Sequence, residues 1–254
     1  MTKIKLGITG YTGRMGQAIL SEVQGFPEFS MFAALVGDNK SKEQGAVKLT
    51  DSLDELCDLS DVVIDFSVPE TVKTLTVAAI KHKVPLVSGT TSLSESDFKA
   101  LEQASKEIPV LYSQNMSIGI SALGPLLREM YLKLENRADV EIIETHHKNK
   151  KDAPSGTALL LASQMLNKRN LKPKLIEKNL FEVSAEHLTK KISIVSVREK
   201  KVPGIHDILF NMENETIKIS HQAHSRNIFA IGALTGAAWL YKQRVGLHSM
   251  QNIT

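Results

Sequence analysis

Cysteine is nearly absent: the 254 residues contain one, Cys57. No intrachain disulfide can form, so the chain does not depend on an oxidising compartment, and the cytoplasm is its expected location. No long apolar run is present either. The most membrane-like stretch, residues 228–241, is fourteen residues, short of the roughly 20 that a spanning helix needs, and reads as a buried helix. The N-terminal residues 1–9 run straight into a strand-like pattern without an apolar signal region or cleavage site, and read as mature protein. No membrane attachment is expected. An excess of one charge is missing as well. Lys and Arg total 31 against 28 Asp and Glu, a formal charge of +3 spread along the chain, so nucleic acid is not an expected partner. Internal repeats and low-complexity linkers are also missing; residues 167–178 are Lys-rich but short and read as a solvated surface segment.

What is there is ordinary globular composition, 42% hydrophobic and 23% charged, in a chain long enough for one large domain or two. The first half alternates strand-like segments (residues 3–9, 32–37, 62–66, 84–88 and 110–112) with helix-like ones (15–24, 53–59, 70–82 and 95–106). That alternation predicts a doubly wound parallel sheet, and the near-continuous apolar strands fit burial on both faces. Pro69 suits a first helical turn, and Ser94 with Asp97 resembles a capping box. After Asn115 the pattern changes to a long helix (118–134), a strand (140–145), a polar loop and three segments (191–197, 207–212 and 216–221) that read as antiparallel strands. A second domain is expected to begin there. The closing helix, 229–242, is apolar around most of its circumference, so the first domain is expected to cover it.

Chemistry is suggested in two places. The first strand runs into Gly10-Tyr11-Thr12-Gly13-Arg14-Met15-Gly16 and then a helix. Glycines let backbone approach a pyrophosphate, and the helix start offers free N–H groups and a positive dipole end. A plain tight turn would have the same glycines. Asp38 follows the second strand, about 20 residues past the loop, where a carboxylate meets ribose hydroxyls and argues for NAD. Lys40 beside Asn39 could instead attract the 2′-phosphate of NADP, so the choice stays open. Two polar loops, Ser88-Gly89-Thr90-Thr91 and Ser113-Gln114-Asn115-Met116, lie beyond strand ends where such sheets present their crevice.

The stronger signal runs from Glu144 to Thr157. A strand ends in His146 and His147, a loop carries Lys148, Lys150 and Lys151, and Asp152-Ala153-Pro154-Ser155-Gly156-Thr157 opens a helix over 158–166, expected to be amphipathic. Pro154 stops continuation from upstream, Ser155 is a good cap and Gly156 leaves N–H groups uncovered, which suits an anion. A capped helix with nothing bound has the same sequence. Crowded cations depress one another's pKa values, one way to reach proton donation near neutral pH. Metal is not expected, because the remaining histidines show neither HExxH nor Cys/His spacing with this pair.

Together these motifs resemble the dihydrodipicolinate reductase family, along nearly the whole chain: GITGYTGRMG, VIDFS, SGTT, QNMSIG, EIIETHHKNKKDAPSGTA and FAIGAL. The resemblance implies hydride transfer from NADH or NADPH to a cyclic unsaturated dicarboxylate, giving tetrahydrodipicolinate. It further implies His146 and Lys150 as catalytic residues, Lys150 as proton donor, His147 as a substrate contact, and Gly156 and Thr157 as a carboxylate cradle. Gly10, Tyr11, Thr12, Gly13, Arg14, Met15, Asp38, Gly89, Thr90, Thr91, Ser113, Gln114, Asn115 and Met116 become cofactor contacts. The implied fold is a Rossmann-like α/β domain with a smaller α+β domain on a mixed sheet, assembled as a homotetramer. Domain bounds follow: 1–117 for the dinucleotide, 118–226 for substrate and oligomerisation, and 227–254 for a helix returning to the first domain.

Two departures bear on ligands. Asn39 stands where some members have an arginine for the NADP phosphate, and residues 171–193 lack an R-x-G-x-x-G-x-R loop. Arg198, Gly204, His206 and Arg226 also resemble family positions, and each equally suits a surface or structural residue. A semialdehyde dehydrogenase would need a nucleophilic cysteine, but Asp54, Glu55 and Asp58 around Cys57 would raise a thiol pKa. A non-catalytic NAD(P)-binding sensor would have no need of His146 or Lys150.

Overall fold

A computed structural model describes residues 3–36, 43–44, 47–168, 171–184, 191–199 and 202–253. Asp38, Asn39 and Lys40 lie outside the described residues. The chain divides into two compact units, Met1–Ile118 with Arg226–Thr254, and Gly119–Ser225.

In the first unit β1 (Ile4–Thr9), α1 (Arg14–Glu22), β2 (Phe29–Leu35), β3 (Glu43–Gln44), β4 (Val47–Thr50), α2 (Leu53–Asp58), β5 (Val62–Asp65), α3 (Pro69–His82), β6 (Leu86–Ser88), α4 (Glu95–Ala104) and β7 (Pro109–Tyr112) follow in order. The second unit contains α5 (Ile118–Leu134, starting at the boundary), β8 (Asp139–His147), α6 (Gly156–Leu166), β9 (Lys174–Glu177), β10 (Leu180–Val183), β11 (Ile192–Glu199), β12 (Gly204–Asn211) and β13 (Thr216–Ala223). The chain then returns to the first unit as α7 (Asn227–Leu240) and β14 (Gly246–His248).

The first sheet has the order β14-β7-β6-β5-β1-β2-β4-β3. All of its pairs are parallel except β3 with β4. The strand order reverses direction between β1 and β5, which makes their carboxyl ends the ligand crevice of a doubly wound sheet. Leu6, Ile8, Ile64, Val87 and Leu111 from the strands share one core with Ala230, Ala233, Leu234 and Ala237 of α7, so the apolar closing helix is covered as expected. Each fully buried Leu or Ile contributes about 1.5–3 kcal/mol. The local signals also hold. Ser94 and Asp97 form a reciprocal capping box, and Pro69 occupies the first turn of α3.

The second sheet has the order β13-β12-β8-β11-β10-β9. Its residues at Val140, Ile142, Ile192, Ile194, Ile208 and Phe210 pack with Leu127 and Tyr131 of α5 and Leu161 and Met165 of α6. Several expectations need correction. Segment 191–197 was expected to be antiparallel; β11 runs parallel to β8, and antiparallel only to β10. Alternation reports which face a residue takes, and strand direction depends on the intervening crossover. Helix α6 is not amphipathic, since none of residues 157–166 is exposed. Strand β2 starts three residues before the expected 32 and ends two before 37. β4 and β14 are too short to stand out from periodicity, and the Lys-rich segment contains the exposed strand β9.

Candidate active site

The glycine turn sits at the carboxyl end of β1. Gly10 has φ +71°, and a Cβ there would lie 2.2 Å from the Phe66 carbonyl oxygen, so no other residue fits. Gly16 lets α1 approach the turn, because a Cβ would meet the Gly10 oxygen at 2.4 Å. Helix α1 begins at Arg14 with no side-chain cap, which leaves its first N–H groups for another acceptor. A cavity of about 560 Å³ opens beside it, lined by Thr12, Gly13, Arg14, Gln17, Arg226 and Asn227 among others. Two guanidinium-bearing residues and a helix N-terminus suit a pyrophosphate. Tyr11 and Met116 are core residues, whereas Thr12, Arg14, Thr91 and Gln114 are exposed.

Next to this turn lies a carboxylate that the sequence reading passed over. Asp65, fully buried at the end of β5, accepts from Thr9 Oγ1 (2.5 Å), Ser67 N (3.0 Å), Ser67 Oγ (2.5 Å), Ser88 Oγ (2.8 Å) and Thr90 Oγ1 (2.8 Å). One side chain thus joins the ends of β1, β5 and β6. In the 113–116 loop the Ser113 hydroxyl donates to the Asn115 carbonyl (2.6 Å), and Asn115 Oδ1 accepts from Ser117 N (2.8 Å).

In the second unit, strand register explains the chemistry. Facing the helices, Ile192, Val140 and Phe210 form one rung, Ile194, Ile142 and Ile208 the next, and Ser196, Glu144, His206 and His221 the third. Arg198 lies opposite His146 beyond it. The same face therefore turns from apolar to polar where α6 begins. Glu144 has no exposure. Its Oε2 accepts from His146 Nδ1, and its Oε1 accepts from Ser155 N (3.2 Å) and Arg198 Nη2 (3.0 Å). Burial pushes the Glu144 carboxyl up, but the hydrogen bonds from His146 and Arg198 outweigh it and hold it below the usual carboxylate range. His206 packs edge-on against His146 at 5.2 Å between ring centres, with Nε2 3.2 Å from Ser155 Oγ. Burial, then the charge of His146, pushes the His206 imidazole down to about 3, so it is neutral.

Lys150 and Asp152 form an ion pair at 2.8 Å in the loop, and Arg198 Nη2 also donates to the Asp152 carbonyl. Burial raises the Asp152 carboxyl, and the Lys150 ammonium outweighs that and holds it low. Ser155 caps α6 through Ala158 N (3.2 Å), as expected. Space around the Cα of Gly156 is open. His146 and His147 are adjacent in sequence but lie on opposite faces, because side chains alternate along a strand. The sequence marks Ser155 as a helix cap and His206 as a family position; what it does not reveal is that Ser155 and His146 share Glu144 and that His206 packs on His146. A signal was present for Glu144: counting back by two from His146 gives Glu144, Ile142 and Val140, a charged residue on an otherwise apolar face.

Residues 4–116 match the model of the dihydrodipicolinate reductase N-terminus, and residues 119–254 match that of the C-terminus. The chain belongs to the dihydrodipicolinate reductase family. It is 41% identical to the 4-hydroxy-tetrahydrodipicolinate reductase of Rickettsia rickettsii over 250 residues, and 39% identical to that of Caldanaerobacter subterraneus, covering 98% of each chain in both cases. Among solved structures, a dipicolinate-bound dihydrodipicolinate reductase from Paenisporosarcina sp. TG-14 shares the fold over 100% of both chains, with TM-score 0.78 and 24% identity. The semialdehyde dehydrogenase reading fails. Cys57 is buried, and burial with the neighbouring Asp54 pushes its thiol up to about 12, which leaves no thiolate near neutral pH. Among the described residues no helix is long and apolar enough to cross a membrane.

Proposed function

We propose that this family member catalyses the reaction for which its relatives are named: 4-hydroxy-tetrahydrodipicolinate loses its hydroxyl and a ring proton as water, a hydride passes from NADH or NADPH to the resulting dihydrodipicolinate ring, and a proton is placed on the adjacent carbon, giving tetrahydrodipicolinate for diaminopimelate and lysine biosynthesis. The observation that carries this reading is the Glu144–His146 pair beside the Lys150–Asp152 loop and the open start of α6. A non-catalytic sensor would need none of it.

When bound, the reduced nicotinamide supplies the hydride. Gly10, Tyr11, Thr12, Gly13, Arg14 and Met15 hold its pyrophosphate and adjoining ribose. Gly89, Thr90, Thr91, Ser113, Gln114, Asn115 and Met116 hold the nicotinamide half, and Asp38 the adenosine ribose. Arg14 and Arg226 line the cavity where the phosphates belong. In the second unit the start of α6 at Gly156 and Thr157 receives a substrate carboxylate, Lys150 donates the proton, and His146 meets the developing negative charge. His147, at the last position of β8, is a further substrate contact. The enzyme works as a cytoplasmic homotetramer. Both helices of the second unit cover one face of its sheet, and on the other face Ile143, Val195, Val197, Ile205 and Leu209 stay half-buried, a surface suited to subunit contact.

A coupled assay tests the reading. Dihydrodipicolinate synthase supplied with pyruvate and aspartate semialdehyde provides substrate, and oxidation of NADH and NADPH is followed separately. Oxidation of neither would end the proposal. Lys150→Ala and His146→Ala should each lower kcat about 100-fold or more while leaving dinucleotide affinity nearly intact.

A further inference from the structure

We infer that Glu144 is the positioning residue of the site: its buried carboxylate fixes the His146 imidazole with Nδ1 inward, so that Nε2 is the edge that meets substrate. The inference rests on the proposed reduction and adds a residue to it. Three observations carry it.

First, Nδ1 of His146 is committed to Glu144. A ring that donates from Nδ1 to a carboxylate keeps Nε2 as its exchanging nitrogen, and the ionised partner favours the protonated ring. Second, the opposite edge has room because residue 204 is glycine. A Cβ there would lie 3.0 Å from Nε2, so any other residue at 204 would crowd the working nitrogen. Third, the same carboxylate accepts from Ser155 N at the start of α6 and from Arg198, which also holds the Asp152 carbonyl, and Asp152 pairs with Lys150. Imidazole, lysine loop and helix start are thus referenced to one buried group. A buried carboxylate acts with little screening, so its charge is felt more strongly than a surface one would be.

The charged and titratable neighbours of this pair are Arg198 from β11, His206 from β12, His221 from β13, and Lys150 with Asp152 from the loop. Arg198 and Lys150 disfavour a second positive charge. His206 is neutral and supplies none. Glu144 is the anion in direct contact with the ring.

Glu144→Gln preserves shape and an oxygen that accepts from Nδ1 while removing the charge. We expect kcat to fall about 100-fold, KM for the dinucleotide to stay within about twofold, and the limb of the kcat profile that reports loss of the imidazole proton to move about one pH unit toward acid. Gly204→Ala should lower kcat by crowding Nε2 and leave that limb in place. In the wild-type protein, 15N spectra of labelled histidine should show the neutral His146 ring carrying its proton on Nδ1, an observation that needs no variant to fold. Wild-type kcat and pH profile in Glu144→Gln would overturn the inference, as would a wild-type His146 ring protonated on Nε2 alone. A lower kcat with an unmoved profile would also overturn it, leaving Glu144 a part of the fold only. If the wild-type enzyme oxidises neither NADH nor NADPH, the proposed function falls, and the nitrogen spectra still decide how Glu144 holds His146.

Discussion

Each unit buries a carboxylate on a strand, Asp65 at the end of β5 and Glu144 within β8, and the two are satisfied in opposite ways. Asp65 accepts from four hydroxyls and one backbone N–H, and among the described residues it makes no salt bridge. Glu144 is bound by an imidazole, a guanidinium and an N–H. Short neutral hydroxyls can pull loops to a point without adding charge to a crevice that must accept a dinucleotide. The partners of Glu144 are themselves groups that carry protons or charge. A buried carboxylate costs several kcal/mol unless it is satisfied; in the first unit that satisfaction joins three strand ends through neutral groups, and in the second it joins groups that carry protons or charge.

The contrast can be broken by experiment. Arg198→Met should have the largest effect, about 3 kcal/mol of destabilisation in chemical unfolding, because one partner of a buried pair is removed and the other stays. A loss below about 0.5 kcal/mol would show that Arg198, whose side chain keeps 20% exposure, is screened like a surface charge. Asp65→Asn should cost about 2 kcal/mol, since its amide brings donors into a ring of donors. The single tryptophan, Trp239 in α7, gives a fluorescence signal from the same unit. That variant should raise KM for the dinucleotide and leave kcat nearly unchanged, the reverse of Glu144→Gln. A matched loss of kcat would erase the distinction between the two carboxylates.

His206 sharpens the comparison through pH. Its folded pKa, about 3, lies below the unfolded value of about 6.5. Folding favours the neutral ring, so its contribution to stability is complete above pH 6.5 and is lost as pH falls toward 3. Wild-type stability should decline by about 2 kcal/mol between pH 6.5 and 4.5, and His206→Gln should flatten that slope. An unchanged slope would assign the acid sensitivity elsewhere. Ser155→Ala should have the smallest effect, about 1 kcal/mol, through loss of the α6 cap. Hydrogen exchange at Ala158 N would localise it.

Much of the molecule was legible from local rules. The glycine turn, the Ser94–Asp97 box, Pro69 and the Ser155 cap each depend on neighbours within a few residues, and each appears where the sequence placed it. Partnership across strands was not legible. His206 and Arg198 lie 62 and 54 residues from Glu144 in sequence, and only the register of β12 and β11 against β8 brings them beside it. His146 and His147 looked like one pair until alternation separated them.

The sequence by itself determined the doubly wound sheet, the nucleotide turn, the helix start at Gly156 and the family, because hydrophobic period and turn chemistry are local properties of the chain. The tertiary structure decided which carboxylate governs which group. Burial and strand register are set by the whole packed domain, and a hydrogen bond between distant residues exists only once that packing has formed.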